Sequence, residues 1–217
     1  MVELGAPPGE PFAFNAGRLC LDFANTVRSR PSSDRLDLIG AYEDLLAWAR
    51  QATILTPGEA ATLANAAHQG ARGAGEALTR ARILRESMYA VFSARAAGLP
   101  APPADLQTLN RAIARAMAQS GLTAAGARFE WGWPDSPPGL DRVSRWVARS
   151  AAELLTSADL TFVRECASYD CGWLFMDTTK NRSRRWCDMR VCGNRAKSRR
   201  HYERQRAAGG NRRPADR

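Results

Sequence analysis

The sequence predicts a mainly α protein with small β hairpins, in which a helical N-terminal domain precedes a small cysteine-bearing unit made of a β-hairpin and a C-terminal helix. Three observations carry this expectation. Apolar residues recur at helical spacing through most of residues 15–158. One short stretch there, Phe129, Trp131 and Trp133, alternates instead with polar residues, as a half-buried strand does. Four of the five cysteines then fall between Cys166 and Cys192, in a stretch crowded with arginine.

The elements follow in order. Residues 1–14 are rich in Pro and Gly and read as a flexible N-terminus. Gly17–Val27 is apolar around Asp22, Asn25 and Thr26 and reads as a helix. Asp22 and Asn25 would share one face of it, either lining a ligand pocket or forming a satisfied polar pair or cap. Arg28–Asp34 is a loop, and Leu38, Tyr42, Leu45, Leu46 and Ala49 then predict a helix over about 36–51. Thr56-Pro57-Gly58-Glu59 combines an N-cap, a proline at the first helical position and a capping-box glutamate, and opens a helix to about Gln69. Leu78, Ala81, Leu84, Met88, Val91 and Phe92 mark a longer helix that ends before Gly98. Leu106, Leu109, Ile113 and Met117 mark another that ends at Gly121. Gly126 can turn a hairpin into the strand of Phe129 and Trp131, and Leu140, Val143, Val147, Ala151 and Leu154 make the last helix before the cysteines.

A 45% hydrophobic composition suffices for a real core. No run of about 18 apolar residues is present, so no membrane span is expected. The opening MVELGAPPGEPFAF lacks the basic and apolar regions of a secretion signal. A cytoplasmic, reducing location is therefore expected, where clustered cysteines bind metal more often than they form disulfides. Residues 15–158 hold no phosphate loop, nucleophile elbow or metalloprotease motif, and no acid–base or nucleophile constellation, so no enzyme is expected.

Cys166-x4-Cys171 and Cys187-x4-Cys192 are two equal pairs separated by fifteen residues. Two matched turns of this kind build a closed tetrahedral site, and four thiolates suit structural Zn2+. Between the pairs, Trp173–Thr178 is strand-like, Lys180–Ser183 reads as a turn, and Arg184–Trp186 reads as a returning second strand. Arg195–Arg206 reads as a helix that begins beside the last cysteine. Such a placement sets free backbone N–H groups and the positive dipole end near thiolate charge. Cys20 lies apart, among apolar residues, and reads as a buried small hydrophobe.

These residues carry a family resemblance. The pattern C-x4-C, then RRWC-x4-CGNR with WLFMD between, resembles the CGNR zinc-finger family, whose name-giving tetrad is Cys192-Gly193-Asn194-Arg195 here. Upstream, LDFANT (Leu21–Thr26), the helix carrying Asp44–Trp48, and RSAAELL (Arg149–Leu155) are similar to the ABATE domain found at the N-terminus of that family. The resemblance implies zinc ligation by Cys166, Cys171, Cys187 and Cys192, and a role as a stress-induced transcription regulator or as an RNA-binding protein.

The charge distribution bears on the partner. Residues 160–217 hold 15 basic and 6 acidic residues while residues 1–159 hold 16 of each, so the entire net charge of +9 lies in the last quarter of the chain. A Zn2+ ion with four thiolates leaves two excess negative charges, which two or three arginines could offset. Eleven basic residues stand between Thr178 and Arg206, far beyond that need. A nucleic acid is the best-matched partner, DNA ahead of RNA, with Lys180, Arg184, Arg185, Lys197, Arg200 and Arg204 as candidate contacts and Tyr202 as a candidate stacking residue. A protein-interaction adaptor with a structural zinc finger and no nucleic-acid role is the other reading. The sequence thus divides into a flexible N-terminus (1–14), an ABATE-like helical domain (15–158) that senses a small molecule or forms a homodimer, a CGNR-type finger (160–206) and a disordered tail (207–217).

Overall fold

The computed structural model describes residues 12–133 and 138–209. The expected flexible N-terminus lies outside the described residues up to position 11; of the expected disordered tail, residues 207–209 instead continue the last helix, and the remainder lies outside the described residues. Phe12, just inside the described chain, is packed into the core.

Leu19–Ala24 forms α1, buried along almost its whole length, with the Phe23 ring 4.8 Å from that of Trp48. Beyond it, Val27–Arg28 (β1) pairs antiparallel with Leu36–Asp37 (β2). The helix expected over 36–51 therefore starts later, as α2 over Tyr42–Gln51. Two local forces explain the difference. Arg85, itself 2% exposed, donates to both oxygens of Asp37 at 2.7 and 2.6 Å and holds that residue in extended conformation. Asp44 then accepts from the N–H groups of Gly40 and Ala41 at 2.9 and 2.8 Å, which fixes the helix start beyond Gly40. Burial is the largest single influence and works against the Asp37 carboxylate, but the hydrogen bonds from Arg85 and the Ile39 N–H and the charges of Arg85 and Arg82 together outweigh it and hold Asp37 below the usual carboxylate range.

The helix α3 spans Pro57–Gln69 and carries the anticipated reciprocal cap. Thr56 donates its N–H to Glu59 at 2.9 Å, and the Glu59 N–H returns to the Thr56 hydroxyl at 3.2 Å. The longest helix, α4, runs over Ala71–Ala96, seven residues upstream of its first expected apolar mark at Leu78, and buries an Ala-rich early face through Ala74 and Ala77. The helix α5 (Pro103–Ala118) leads into a hairpin of β3 (Gly121–Ala125) and β4 (Arg128–Gly132), with Gly126 at the turn in a left-handed conformation. Trp133, expected in that strand, leaves it instead. Its indole N–H reaches the Ala116 carbonyl at 3.1 Å and anchors the hairpin to α5. The helix α6 (Arg142–Leu155) buries Val143, Val147, Ala151 and Leu154, one stripe at helical spacing, against its neighbours.

In the C-terminal part, Val163–Glu165 (β5) pairs antiparallel with Leu174–Met176 (β6), and a π-helical turn at Met189–Gly193 opens the last helix, α7, over Asn194–Gly209. Among the described residues the fold is thus mainly α with three small antiparallel strand pairs. The strand partner of 174–176 differs from expectation, since Arg184–Trp186 is not a strand. The Cys166–Cys171 turn itself closes the hairpin, with the Cys166 N–H on the Trp173 carbonyl at 2.8 Å. Arg184 is drawn aside by Asp177, which accepts its N–H at 2.9 Å.

The β5–β6 hairpin is built into the main core, where Val163, Leu174 and Met176 pack with the helical residues. Each such buried side chain contributes about 1.5–3 kcal/mol. A seam of polar bonds runs alongside. Met176 donates to the Ala16 carbonyl at 2.8 Å, the Trp173 indole to the Val27 carbonyl at 2.9 Å, and Arg30 to the Cys171 carbonyl at 3.3 Å.

Candidate metal centre and basic surface

Two turns bring the cysteines together. The first is the Cys166–Cys171 loop, tightened by the Cys171 N–H on the Ser168 carbonyl at 3.2 Å and followed by Gly172 in a left-handed conformation. A Cβ at Gly172 would crowd that of Arg30 at 3.1 Å and Pro31 at 3.3 Å, and its left-handed backbone strains any other residue. The second turn follows Cys187. Asp188 accepts from the N–H groups of Arg190 and Val191 at 2.7 and 3.3 Å and so curls the chain back to Cys192.

All four sulfurs lie within 4.8 Å of one another, and all four residues are buried. Cys171 and Cys187 are 3.6 Å apart at Sγ, Cys187 and Cys192 3.7 Å. Ligands of an ideal tetrahedron with metal–sulfur bonds of about 2.3 Å stand roughly 3.8 Å apart. The separations therefore fit Zn2+, and they exceed the ~2.05 Å of a disulfide. Four buried sulfurs this close cannot all carry negative charge without a cation among them. A divalent cation removes that conflict by accepting all four as thiolates. A closed four-sulfur shell leaves no open position, so its chemistry is structural.

Each residue of Cys192-Gly193-Asn194-Arg195 has a separate task. Cys192 supplies a sulfur. Gly193 leaves room for the Met189 thioether, into which a Cβ would run. Asn194 donates to the Arg190 carbonyl at 2.8 Å, closing the π turn. Arg195 pairs with Asp170 of the first turn and so ties α7 to the opposite half of the site.

The other basic residues divide by what they touch. Arg184 lies 4.5 Å over the buried Phe175 ring and donates to the carbonyls of Trp186 and Cys187. Arg185 is exposed, 5.5 Å from the Trp186 ring. Lys180 is exposed on the turn after β6. On α7, Arg199 stacks 4.5 Å from the Tyr169 ring and pairs with Glu203 at 2.8 Å. Lys197, Arg200 and Arg204 share an open face of that helix, and among the described residues none of the three forms an ion pair. Tyr202 is two-thirds exposed. Sequence reasoning missed Tyr169 and Asp170, since nothing in a single residue's type marks it as the partner of a helix far along the chain.

Asp22 and Asn25 are both engaged within the chain. Asp22 accepts the Ala16 N–H at 2.9 Å, and burial raises its carboxyl to about 7. Asn25 donates to the Leu174 carbonyl at 2.8 Å and accepts the Leu174 N–H at 2.9 Å. Cys20 is fully buried away from the four-sulfur cluster, and burial pushes its thiol up to about 12.

Comparison with known families agrees with this anatomy. Residues 17–158 match the ABATE family model, described as a putative stress-induced transcription regulator. Residues 163–205 match the CGNR zinc finger. No curated protein matches the sequence.

Proposed function

Because the chain belongs to the ABATE family and carries a CGNR zinc finger, we propose that it is a zinc-dependent, nucleic-acid-binding transcription regulator of the cytoplasm and not an enzyme. In this reading Cys166, Cys171, Cys187 and Cys192 hold the zinc. The finger, over residues 160–206, contacts DNA in preference to RNA. The helical domain, over residues 15–158, senses a small molecule or forms a homodimer. No helix among the described residues is long and apolar enough to cross a membrane.

The observation that supports nucleic-acid binding best is the open face of Lys197, Arg200 and Arg204. Arg200 and Arg204 direct their Nε groups only to backbone carbonyls one turn back, at 3.3 Å each. Their remaining guanidinium N–H groups face solvent, and a row of such groups suits a chain of phosphates. Arg195 and Arg199, by contrast, are held by Asp170, Tyr169 and Glu203.

Titrating the zinc-loaded protein against duplex DNA, duplex RNA and an acidic polypeptide over a range of salt tests the reading. It expects DNA binding whose log affinity falls linearly with log salt. Binding to the polypeptide alone would favour the protein-adaptor reading instead.

A further inference from the structure

Beside the open face of α7 lies a cleft of about 250 Å³. Its walls are the first cysteine turn, the chain leading into Cys187, and the first turns of α7. Two aromatic rings line it, Tyr169 and Trp186. Tyr169 leaves 64% of its surface exposed although it stands between the buried Cys166 and Cys171. Three guanidinium groups, those of Arg185, Arg199 and Arg200, line it as well, and its one carboxylate, Glu203, is already engaged by Arg199.

The composition selects the ligand. A bare phosphate needs the guanidinium groups but not a largely exposed tyrosine ring, with Arg199 stacked on it, and a half-exposed tryptophan beside it. An apolar ligand needs the rings but not three positive charges around them. A planar, π-faced group carrying a phosphate uses both, since bases stack on aromatic rings and on guanidinium planes. The volume lies below the ~300–1,000 Å³ of pockets for drug-sized ligands and suits a single ring system. A duplex offers no such group, because its bases are stacked and paired inside.

We propose that this cleft receives one unpaired nucleobase of a single-stranded nucleic acid, stacked against Tyr169 and Trp186 with its flanking phosphates on Arg185 and Arg200. The inference rests on the nucleic-acid reading above and narrows it to strands with an unpaired base next to the bound backbone.

The experiment compares four probes on the full-length, zinc-loaded protein at fixed salt: a short mixed-sequence DNA strand, its RNA counterpart, an abasic DNA strand of equal length, and a DNA duplex. Stacking of 1–3 kcal/mol per base corresponds to a preference of roughly 5- to 150-fold for a base-bearing strand over the abasic one. Whichever of the DNA and RNA strands binds tighter identifies the source of the base. Tyr169→Ala should remove most of that preference while leaving duplex affinity and zinc content unchanged, and Tyr169→Phe should keep it. Equal affinity for base-bearing and abasic strands overturns the proposal with no variant needed, as does a preference that survives Tyr169→Ala. Duplex binding without base preference would sink the cleft alone, whereas failure of every probe to bind would sink the nucleic-acid reading with it.

Discussion

The side-chain amide of Asn25 clasps the backbone of Leu174, donating to its carbonyl at 2.8 Å and accepting its N–H at 2.9 Å. Asn25 thus completes the free edge of β6 as a neighbouring strand would, although it stands at the end of α1, 149 residues away. These bonds join the helical part to the hairpin whose turn carries Cys166 and Cys171. Replacing Asn25 by Ala strands two buried backbone groups at a cost of about 1–3 kcal/mol each. The wild-type chain should unfold in one transition, and Asn25→Ala should lower its midpoint and separate finger from helices. Urea unfolding followed by zinc release and by far-UV circular dichroism would show this. Coincident transitions of unchanged midpoint in the variant would contradict it.

The metal assignment makes a sharper demand. Native protein should carry a single zinc ion per chain. Cys187→Ser should lose it, because a buried four-sulfur shell has no spare ligand. Cys20→Ala should keep the full complement and cost about 1 kcal/mol through packing. Elemental analysis of the three proteins decides the matter. Since Val163, Leu174 and Met176 belong to the main core, a strong chelator should also lower the melting temperature of the helices.

What could be read from the sequence divides along a physical line. The capping box of Thr56 and Glu59 was legible because its bonds span three residues. The cysteine cluster was legible because matched spacing reports a shared ligand. The pairing of β6 with Val163–Glu165, in place of Arg184–Trp186, was not. Both stretches have strand-like composition, and the choice between them depends on the first cysteine turn acting as the hairpin loop. The extended conformation of Asp37 was hidden likewise, since it depends on Arg85, 48 residues away and fully buried. The stacking of Arg199 on Tyr169 shows the same limit at the candidate interface.

Asp22 should leave a signature in the pH dependence of stability. Burial raises its carboxyl from 3.8 to about 7 in the folded chain, against the opposing hydrogen bond from Ala16. Between these values the folded state keeps a proton that the unfolded state has released. The stability due to protonated Asp22 is therefore complete below pH ~4 and is lost as pH rises through 7. Its buried neighbour Cys20, pushed up to about 12, stays neutral across this window. Asp22→Asn keeps an oxygen for the Ala16 N–H and never ionises. The variant should match the wild type near pH 4 and exceed it at pH 8 by about 2–4 kcal/mol, because each tenfold change in proton affinity is worth ~1.4 kcal/mol. Thermal melts at the two pH values would show it, and a gap that does not widen with pH would refute it.

The two sides of α7 should respond differently to mutation. Arg195 is spent on Asp170 and lies beside the metal site, so Arg195→Ala should loosen the docking of the helix and lower the melting temperature. Its effect on the salt dependence of binding should be small, because it presents little charge to a distant phosphate. Arg200 and Arg204 are exposed, have no acidic partner among the described residues and hydrogen-bond, among these, only to their own helix backbone. Changing both to Ala should leave zinc content and melting temperature near wild type. If each neutralises one phosphate of B-DNA, the slope of log affinity against log salt should flatten by roughly 1.8, at about 0.9 per contact. The loss should be similar for every DNA sequence, since phosphates carry no base identity. Both numbers come from one titration series of the two variants across salt. A double variant that binds as tightly as wild type at every salt concentration would show that this face of α7 does not meet the nucleic acid, and a slope flattened equally by Arg195→Ala would show that the helix has no preferred side.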